Sequence, residues 1–247
     1  MERFGGRVAI VTGAGSGIGR ATTVRLAGEG ATVIAVDRDD EGLAATAAAA
    51  GRPVSTVLGD VTDPGCAREA VAAATDRHGR LDALVNNAGI LRFDHSHEVE
   101  PAAWDEILSV NLTSVFRFCQ AVIPLMLAAG QGAIVNVAST AALFGHPWAA
   151  AYAASKGGVL ALTRTLAVEY AQQGLRVNAV CPGSIKTPIT AAFALPEGAD
   201  ARLLRRLKSP IGMSSPEPVA AAIAYLASGD AAHVNGADLR IDGGAHS

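Results

Sequence analysis

The sequence predicts an α/β fold in which a parallel sheet is covered by helices on both faces. Three observations lead there. Short β-branched apolar runs recur along the chain, longer alanine-rich stretches separate them, and a glycine-rich turn, TGAGSGIG (12–19), joins the first run to the first of those stretches. Strands buried on both faces read as near-continuous apolar runs, and an alternating β–α order is the pattern of parallel pairing.

In chain order the candidate strands are RVAIVT (7–12), ATVIAV (31–36), PVSTVL (53–58), DALVNN (82–87), AIVNVA (133–138), LRVNAV (175–180) and DLRI (238–241). Helices are expected between them at 17–29, 39–50, 64–78, 101–129, 150–172 and 216–227. The low-complexity run AATAAAA (44–50) belongs to the second helix, because alanine is the best helix former. No linker rich in proline, serine or charge divides the chain, so residues 1–247 are expected to form a single domain. The longest part without a strand, about 183–215, follows the sixth strand. An excursion at a strand's C-terminal end is where such sheets build a lid or substrate pocket.

Half of the 247 residues are hydrophobic and 17% are charged, which suits a sizeable core. A net charge of −3 gives no support for nucleic-acid or anionic-membrane binding. The three cysteines, Cys66, Cys119 and Cys181, are odd in number and widely spaced, and no metal-ligand spacing occurs, so no metal site is expected. The opening MERFGGRVAIVTGAG lacks the apolar run and cleavage site of a signal peptide, and no uninterrupted apolar run approaches the roughly 18 residues of a membrane span. A soluble, cytoplasmic protein is the expectation.

Gly13, Gly17 and Gly19 stand in a GxxxGxG spacing between a strand and a helix, with Gly15 as an extra glycine. Glycines permit a tight turn and close backbone approach to a pyrophosphate, and the helix N-terminus offers free N–H groups and a favourable dipole. Asp37 ends the second strand, in VIAVDRDD (33–40), where a carboxylate accepts hydrogen bonds from ribose hydroxyls and repels a 2′-phosphate. It therefore favours NAD over NADP. The neighbouring Arg38 works the other way, since an arginine there can hold that phosphate. Asp60, in LGDV, follows the third strand and either faces the adenine or caps TDPG.

The sharpest signal is YAASK (152–156). Of the three tyrosines only Tyr152 has a lysine four residues on, which puts both on one helix face. A phenol with a pKa near 10 is a poor base at neutral pH. A nearby ammonium and the positive nicotinamide of an oxidised cofactor both favour the phenolate, and such tuning suits general acid–base catalysis. Ser139, after the fifth strand, can hold a substrate oxygen. Asn111 interrupts a helix in which asparagine is a poor helix former, and its amide can order a water between Lys156 and solvent.

The order of TGAGSGIG (12–19), Asp60, NNAG (86–89), Asn111, Ser139, YAASK (152–156), PG (182–183) with Thr187, and IDGG (241–244) resembles the single-domain short-chain dehydrogenase/reductase family over nearly the whole chain. The resemblance implies a Rossmann-type, doubly wound sheet of seven parallel strands, a nicotinamide cofactor, a homotetramer and a tetrad of Asn111, Ser139, Tyr152 and Lys156. In that scheme Tyr152 moves the proton on the substrate oxygen, Ser139 positions that oxygen, and Lys156 lowers the tyrosine pKa and holds the nicotinamide ribose. Carried over residue by residue, cofactor contacts are implied for Gly13, Ser16, Gly17, Ile18, Gly19, Asp37, Arg38, Asp60, Val61, Asn87, Ala88, Gly89, Tyr152, Lys156, Pro182, Gly183, Ile185 and Thr187.

The pocket walls are expected in LRFDHSH (91–97), ALFGHPW (142–148) and the excursion. Leu143, Phe144, Trp148 and Phe193 would make the pocket apolar, and His95, His97 and His146 can each orient a polar group, although a solvated loop is the commoner place for such a histidine. The reaction implied is NAD-dependent interconversion of a secondary alcohol, hydrophobic or cyclic, and a ketone. One alternative is an NADPH-dependent reductase of 3-oxoacyl groups on acyl-carrier protein or CoA, for which Arg92, Arg117 and RLLRRLK (202–208) would meet the acidic carrier. Another, of a different class, is a dinucleotide-binding sensor without catalysis.

Overall fold

A computed structural model describes residues 2–191 and 194–246. The strands are β1 (Val8–Thr12), β2 (Thr32–Asp37), β3 (Val54–Leu58), β4 (Ala83–Asn86), β5 (Gly132–Val137), β6 (Leu175–Pro182) and β7 (Asp238–Ile241). All six pairings are parallel, and the sheet order is β3-β2-β1-β4-β5-β6-β7. The central strands β1 and β4 are buried at every position, whereas the edge strands β3 and β7 have no fully buried position. That contrast explains why the central runs read as unbroken hydrophobic segments and PVSTVL does not.

Crossover helices lie on both faces. They are α1 (Gly17–Gly28), α2 (Asp40–Ala49), α3 (Cys66–His78), α4 (Pro101–Leu108), α5 (Ser114–Ala128), α6 (Ala150–Tyr170), α7 (Pro188–Ala191) and α8 (Glu217–Ala227). The sheet separates two cores. On one side Ile10, Leu84 and Ile134 pack with Phe118, Met126 and Leu160; on the other Val11, Val33 and Val135 pack with Leu26, Leu43 and Ile223. The three cysteines are free and buried, as expected of small apolar side chains.

The single helix expected at 101–129 is interrupted. A π-helical turn, Ser109–Thr113, separates α4 from α5, and Asn111 sits in it fully buried. The apolar period runs through the interruption and hides it; only the asparagine betrays the turn. Pro101–Ala128 is long and apolar enough to cross a membrane, but here Phe118, Val122 and Met126 of this stretch pack into the sheet core.

The excursion after β6 has structure of its own. It carries α7 and a 3₁₀ segment, Ala201–Leu207, and its base is pinched by a parallel bridge between Ile185 and Ser214. Lys186 N–H donates to the Ser214 carbonyl (2.8 Å), and Ser214 N–H donates to the Ser184 carbonyl (3.1 Å).

Candidate active site

Strand order reverses between β1 and β4, and a crevice opens there at the carboxyl ends of the strands. The cleft is open to solvent. One end is built by the glycine turn. Gly13 adopts φ +65°, and a Cβ on it would stand 2.8 Å from the Ala88 Cα. Gly19 lies beneath the turn, where a Cβ would meet the Gly13 carbonyl oxygen at 1.9 Å; it shapes the cradle without lining the cleft. Thr12 and Asn87 tie the turn to β4. The Thr12 hydroxyl accepts from the Asn87 and Ala88 N–H groups (3.0 and 3.1 Å), and Asn87 Nδ2 donates to the Thr12 and Gly13 carbonyls (3.0 and 3.1 Å). The Ser16 side chain makes no cap hydrogen bond at the start of α1, so the helix N-terminus presents uncapped N–H groups and its positive pole to the cleft.

The Asp37 carboxylate lines the cleft and is fixed by the backbone. Its Oδ2 accepts from Gly15 N–H (2.8 Å) and its Oδ1 from Asp39 N–H (3.0 Å). A Cβ at residue 15 would stand 3.0 Å from that carboxylate, which accounts for the extra glycine in the turn. Arg38 lies 3.8 Å from Asp60 and is well exposed. The Asp60 carboxylate also accepts from the Thr62 N–H and hydroxyl (2.8 and 2.7 Å), and these bonds hold its carboxyl below the usual range. Asp60 thus both caps the turn and lines the cleft, so neither sequence reading excludes the other.

At the other end, Ser139, Tyr152 and Lys156 converge in the cleft. Ser139 is the last residue before a 3₁₀ turn, Thr140–Ala142, and its Oγ accepts from Ala141 N–H (3.1 Å). Lys156 is 4% exposed; its Nζ donates to the Val137 carbonyl (2.8 Å) and lies 5.8 Å from the centre of the Tyr152 ring. Burial lowers the lysine pKa to about 8. Burial also raises the Tyr152 pKa, against an opposing hydrogen bond from Ser139. Desolvation therefore outweighs that hydrogen bond in the cofactor-free site. Gly89 completes this end, since a Cβ there would stand 3.3 Å from Asn111 Oδ1 and 3.4 Å from Lys156 Nζ.

Asn111 stands behind this cluster and does not line the cleft. Its Oδ1 accepts from Ile90 N–H (2.8 Å), while its Nδ2 donates to the Ile90 carbonyl (2.9 Å) and to Ser155 Oγ (3.1 Å). Both amide hydrogens are engaged, so only an Oδ1 lone pair remains for the water expected from the sequence.

Of the cofactor contacts read from the sequence, Gly13, Ser16, Gly17, Ile18, Asp37, Arg38, Asp60, Val61, Asn87, Ala88, Gly89, Pro182, Ile185 and Thr187 line this cleft. Gly183 does not; it packs under Asp242, and a Cβ would stand 2.9 Å from that residue's Cβ. The substrate wall differs more. Leu143, Phe144, His146 and Trp148 do not line the cleft, and Phe193 lies outside the described residues. Phe144 instead stacks on His246 with ring centres 4.2 Å apart. The apolar lining comes from Ile90, Leu91, Val110, Pro188 and Ile189, beside Thr190. Leu91 lies in the expected LRFDHSH wall, and Pro188, Ile189 and Thr190 lie in the expected excursion; Ile90, directly after NNAG, and Val110 were not anticipated. A buried ladder was also missed: Asn86 Nδ2 donates to Asn136 Oδ1 (2.9 Å) and Asn136 Nδ2 to Thr163 Oγ1 (2.9 Å). Asparagine inside two apolar strands was its signal.

A glycine cradle at a helix N-terminus, a carboxylate at the end of β2 and a tyrosine–lysine pair at the switch point define a dinucleotide-dependent oxidoreductase. The chain belongs to the short chain dehydrogenase family, whose model matches residues 7–197. It is 44% identical over 246 residues to the 3-oxoacyl-[acyl-carrier-protein] reductase of Thermotoga maritima, covering 98% of each chain. It is 45% identical over 249 residues to cis-4-hydroxycyclohexanecarboxylate dehydrogenase of Sinomonas cyclohexanicum, again covering 98% of each. The structure of the 3-ketoacyl-(acyl-carrier-protein) reductase of Brucella melitensis complexed with NADH superposes with a TM-score of 0.91 at 36% identity, over 99% of this chain and 100% of that one.

Proposed function

We propose that the protein interconverts a hydrophobic or cyclic secondary alcohol and its ketone with NAD, and that Tyr152 is the general acid and base. The observation that carries this reading is the convergence of Ser139, Tyr152 and Lys156 beside an apolar wall, in the same cleft as Asp37. The bound nicotinamide supplies the chemistry of accepting or giving a hydride. The chain's own residues do the rest. Gly13, Ser16 and the N-terminus of α1 fit a pyrophosphate, and Asp37 fits the adenosine ribose. Ser139 Oγ donates to the substrate oxygen and places it against Tyr152, whose phenolate takes the alcohol proton in oxidation and whose phenol returns it in reduction. The Lys156 ammonium offsets the charge of the phenolate. Ile90, Leu91, Val110 and Ile189 exclude water from the reacting carbon.

The acyl-thioester reductase is the second reading, and the similarity to the Thermotoga maritima enzyme favours it. The engagement of three of the basic residues expected to meet a carrier weighs against it. Arg92 pairs with Glu106 (2.6 Å), Arg117 donates to the Thr62 carbonyl (2.7 Å) and Arg202 pairs with Asp200 (2.8 Å). Tyr152→Phe tests the central role. It should bind NADH as the parent does and lose about 10²–10⁴-fold in turnover; parent-like turnover would refute it. A homotetramer is part of the same proposal, supported by the half-exposed Trp104 and Phe116 on α4 and α5, and sedimentation velocity at working concentration tests it.

A further inference from the structure

The aromatic loop that the sequence places around the substrate is occupied with something else. Phe144 lies parallel to His246, at an interplanar angle of 6°, and His146 stacks on the same ring at 5.9 Å. The Arg240 guanidinium stands 5.8 Å from the centre of the Phe144 ring, and its Nη1 donates to the His246 carbonyl (3.0 Å). The His246 imidazole is 8% exposed; its Nδ1 donates to Asp242 Oδ2 (3.3 Å), and its Nε2 is buried without a partner among the described residues. A ring with one buried nitrogen left unpaired is held there chiefly by its faces, and face-to-face packing of this kind is geometrically specific.

The stack reaches the reacting end of the cleft through a short stiff path. Ser139 leads into the 3₁₀ turn; Phe144 N–H donates to the Thr140 carbonyl (2.9 Å), and the Thr140 hydroxyl meets His146 Nε2 (3.3 Å). Residues 139–146 therefore form one hydrogen-bonded hairpin-like turn, with the candidate substrate-orienting hydroxyl at one end and the His246 grip at the other. The same segment after β7 also grips the excursion. Ser209 Oγ donates to the Gly243 carbonyl (2.8 Å), and Gly183 N–H donates to the Ile241 carbonyl (3.0 Å).

We infer that His246 is a positioning residue, a clamp whose ring fixes the 139–148 hairpin against residues 241–243 and so sets where Ser139 meets the substrate. The inference rests on the proposed role of Ser139, but the clamp itself is measurable without any substrate. Amide hydrogen exchange is followed on the cofactor-free protein, on His246→Ala and on His246→Phe. Losing a buried aromatic stack should open the hairpin about ten-fold more often in His246→Ala. Exchange at 140–148 should rise accordingly, with β1 and β4 unchanged and NADH affinity held. Phenylalanine keeps the stack and should restore most of the protection. Once a substrate is in hand, His246→Ala should raise its KM and leave the KM for NAD alone. Parent-like protection of 140–148 in His246→Ala overturns the inference. So does faster exchange spread equally through β1 and β4, which would make the ring a general stabiliser. Tyr152→Phe should leave these exchange rates unchanged, so the clamp and the catalytic reading fail separately.

Discussion

Lys156 should destabilise the cofactor-free protein, and replacing it with methionine should make the fold more stable. The lysine is buried, and its pKa falls from 10.5 to about 8. At about 1.4 kcal/mol per unit, holding the ammonium in this site costs roughly 3 kcal/mol wherever both folded and unfolded lysines are protonated. The sign follows from proton binding. Below pH 8 both states carry the proton and the whole penalty is present. Between pH 8 and 10.5 the folded protein has released it while the unfolded chain retains it, so stability rises with pH across that window. Lys156→Met removes the penalty but leaves the Val137 carbonyl without its donor, which takes back about 1 kcal/mol. Urea unfolding without cofactor should therefore show a net gain of about 2 kcal/mol at pH 7, shrinking toward zero near pH 10, as turnover is lost. A variant less stable than the parent at pH 7, or a gain independent of pH, would refute the reasoning.

Other perturbations follow from the same geometry. Asp37→Ser removes the carboxylate that would meet the ribose hydroxyls, so the preference for NAD over NADP, read as a ratio of kcat/KM values, should fall about ten-fold or more. Gly19→Ala places a methyl group 1.9 Å from the Gly13 oxygen and should abolish NADH binding in a fluorescence titration; Gly157→Ala, with nothing within 4 Å, should bind normally. Asn136→Ala breaks the ladder from Asn86 to Thr163 in the core and should lower the urea stability by about 1–3 kcal/mol.

The parts of the structure that were legible in the sequence are those dictated by local chemistry. VAIVT and ALVN read as buried strands because both of their faces meet helices. The glycine turn read as a cradle because a Cβ fits at neither Gly13 nor Gly19. Tyr152 and Lys156 read as a pair because helical spacing alone brings them together. What stayed hidden depends on contacts distant in sequence. Aromatic residues near the fifth strand suggested a pocket wall, but Phe144 finds its partner about a hundred residues on, at His246. Nothing local announces that the π turn at Ser109–Thr113 aims Asn111 at the Ile90 backbone. The tyrosine's pKa is likewise a property of the folded cleft, where burial raises it against the hydrogen bond from Ser139.

The most direct test of the central claim is NADH formation, followed by its near-ultraviolet absorbance, over a panel of apolar and cyclic secondary alcohols, with NAD and NADP in parallel and Tyr152→Phe as the control. The account predicts turnover with NAD on a cyclic or apolar alcohol, with little from NADP and little from Tyr152→Phe. Activity confined to NADPH and 3-oxoacyl thioesters would contradict it, and would mean that Arg38 outweighs Asp37.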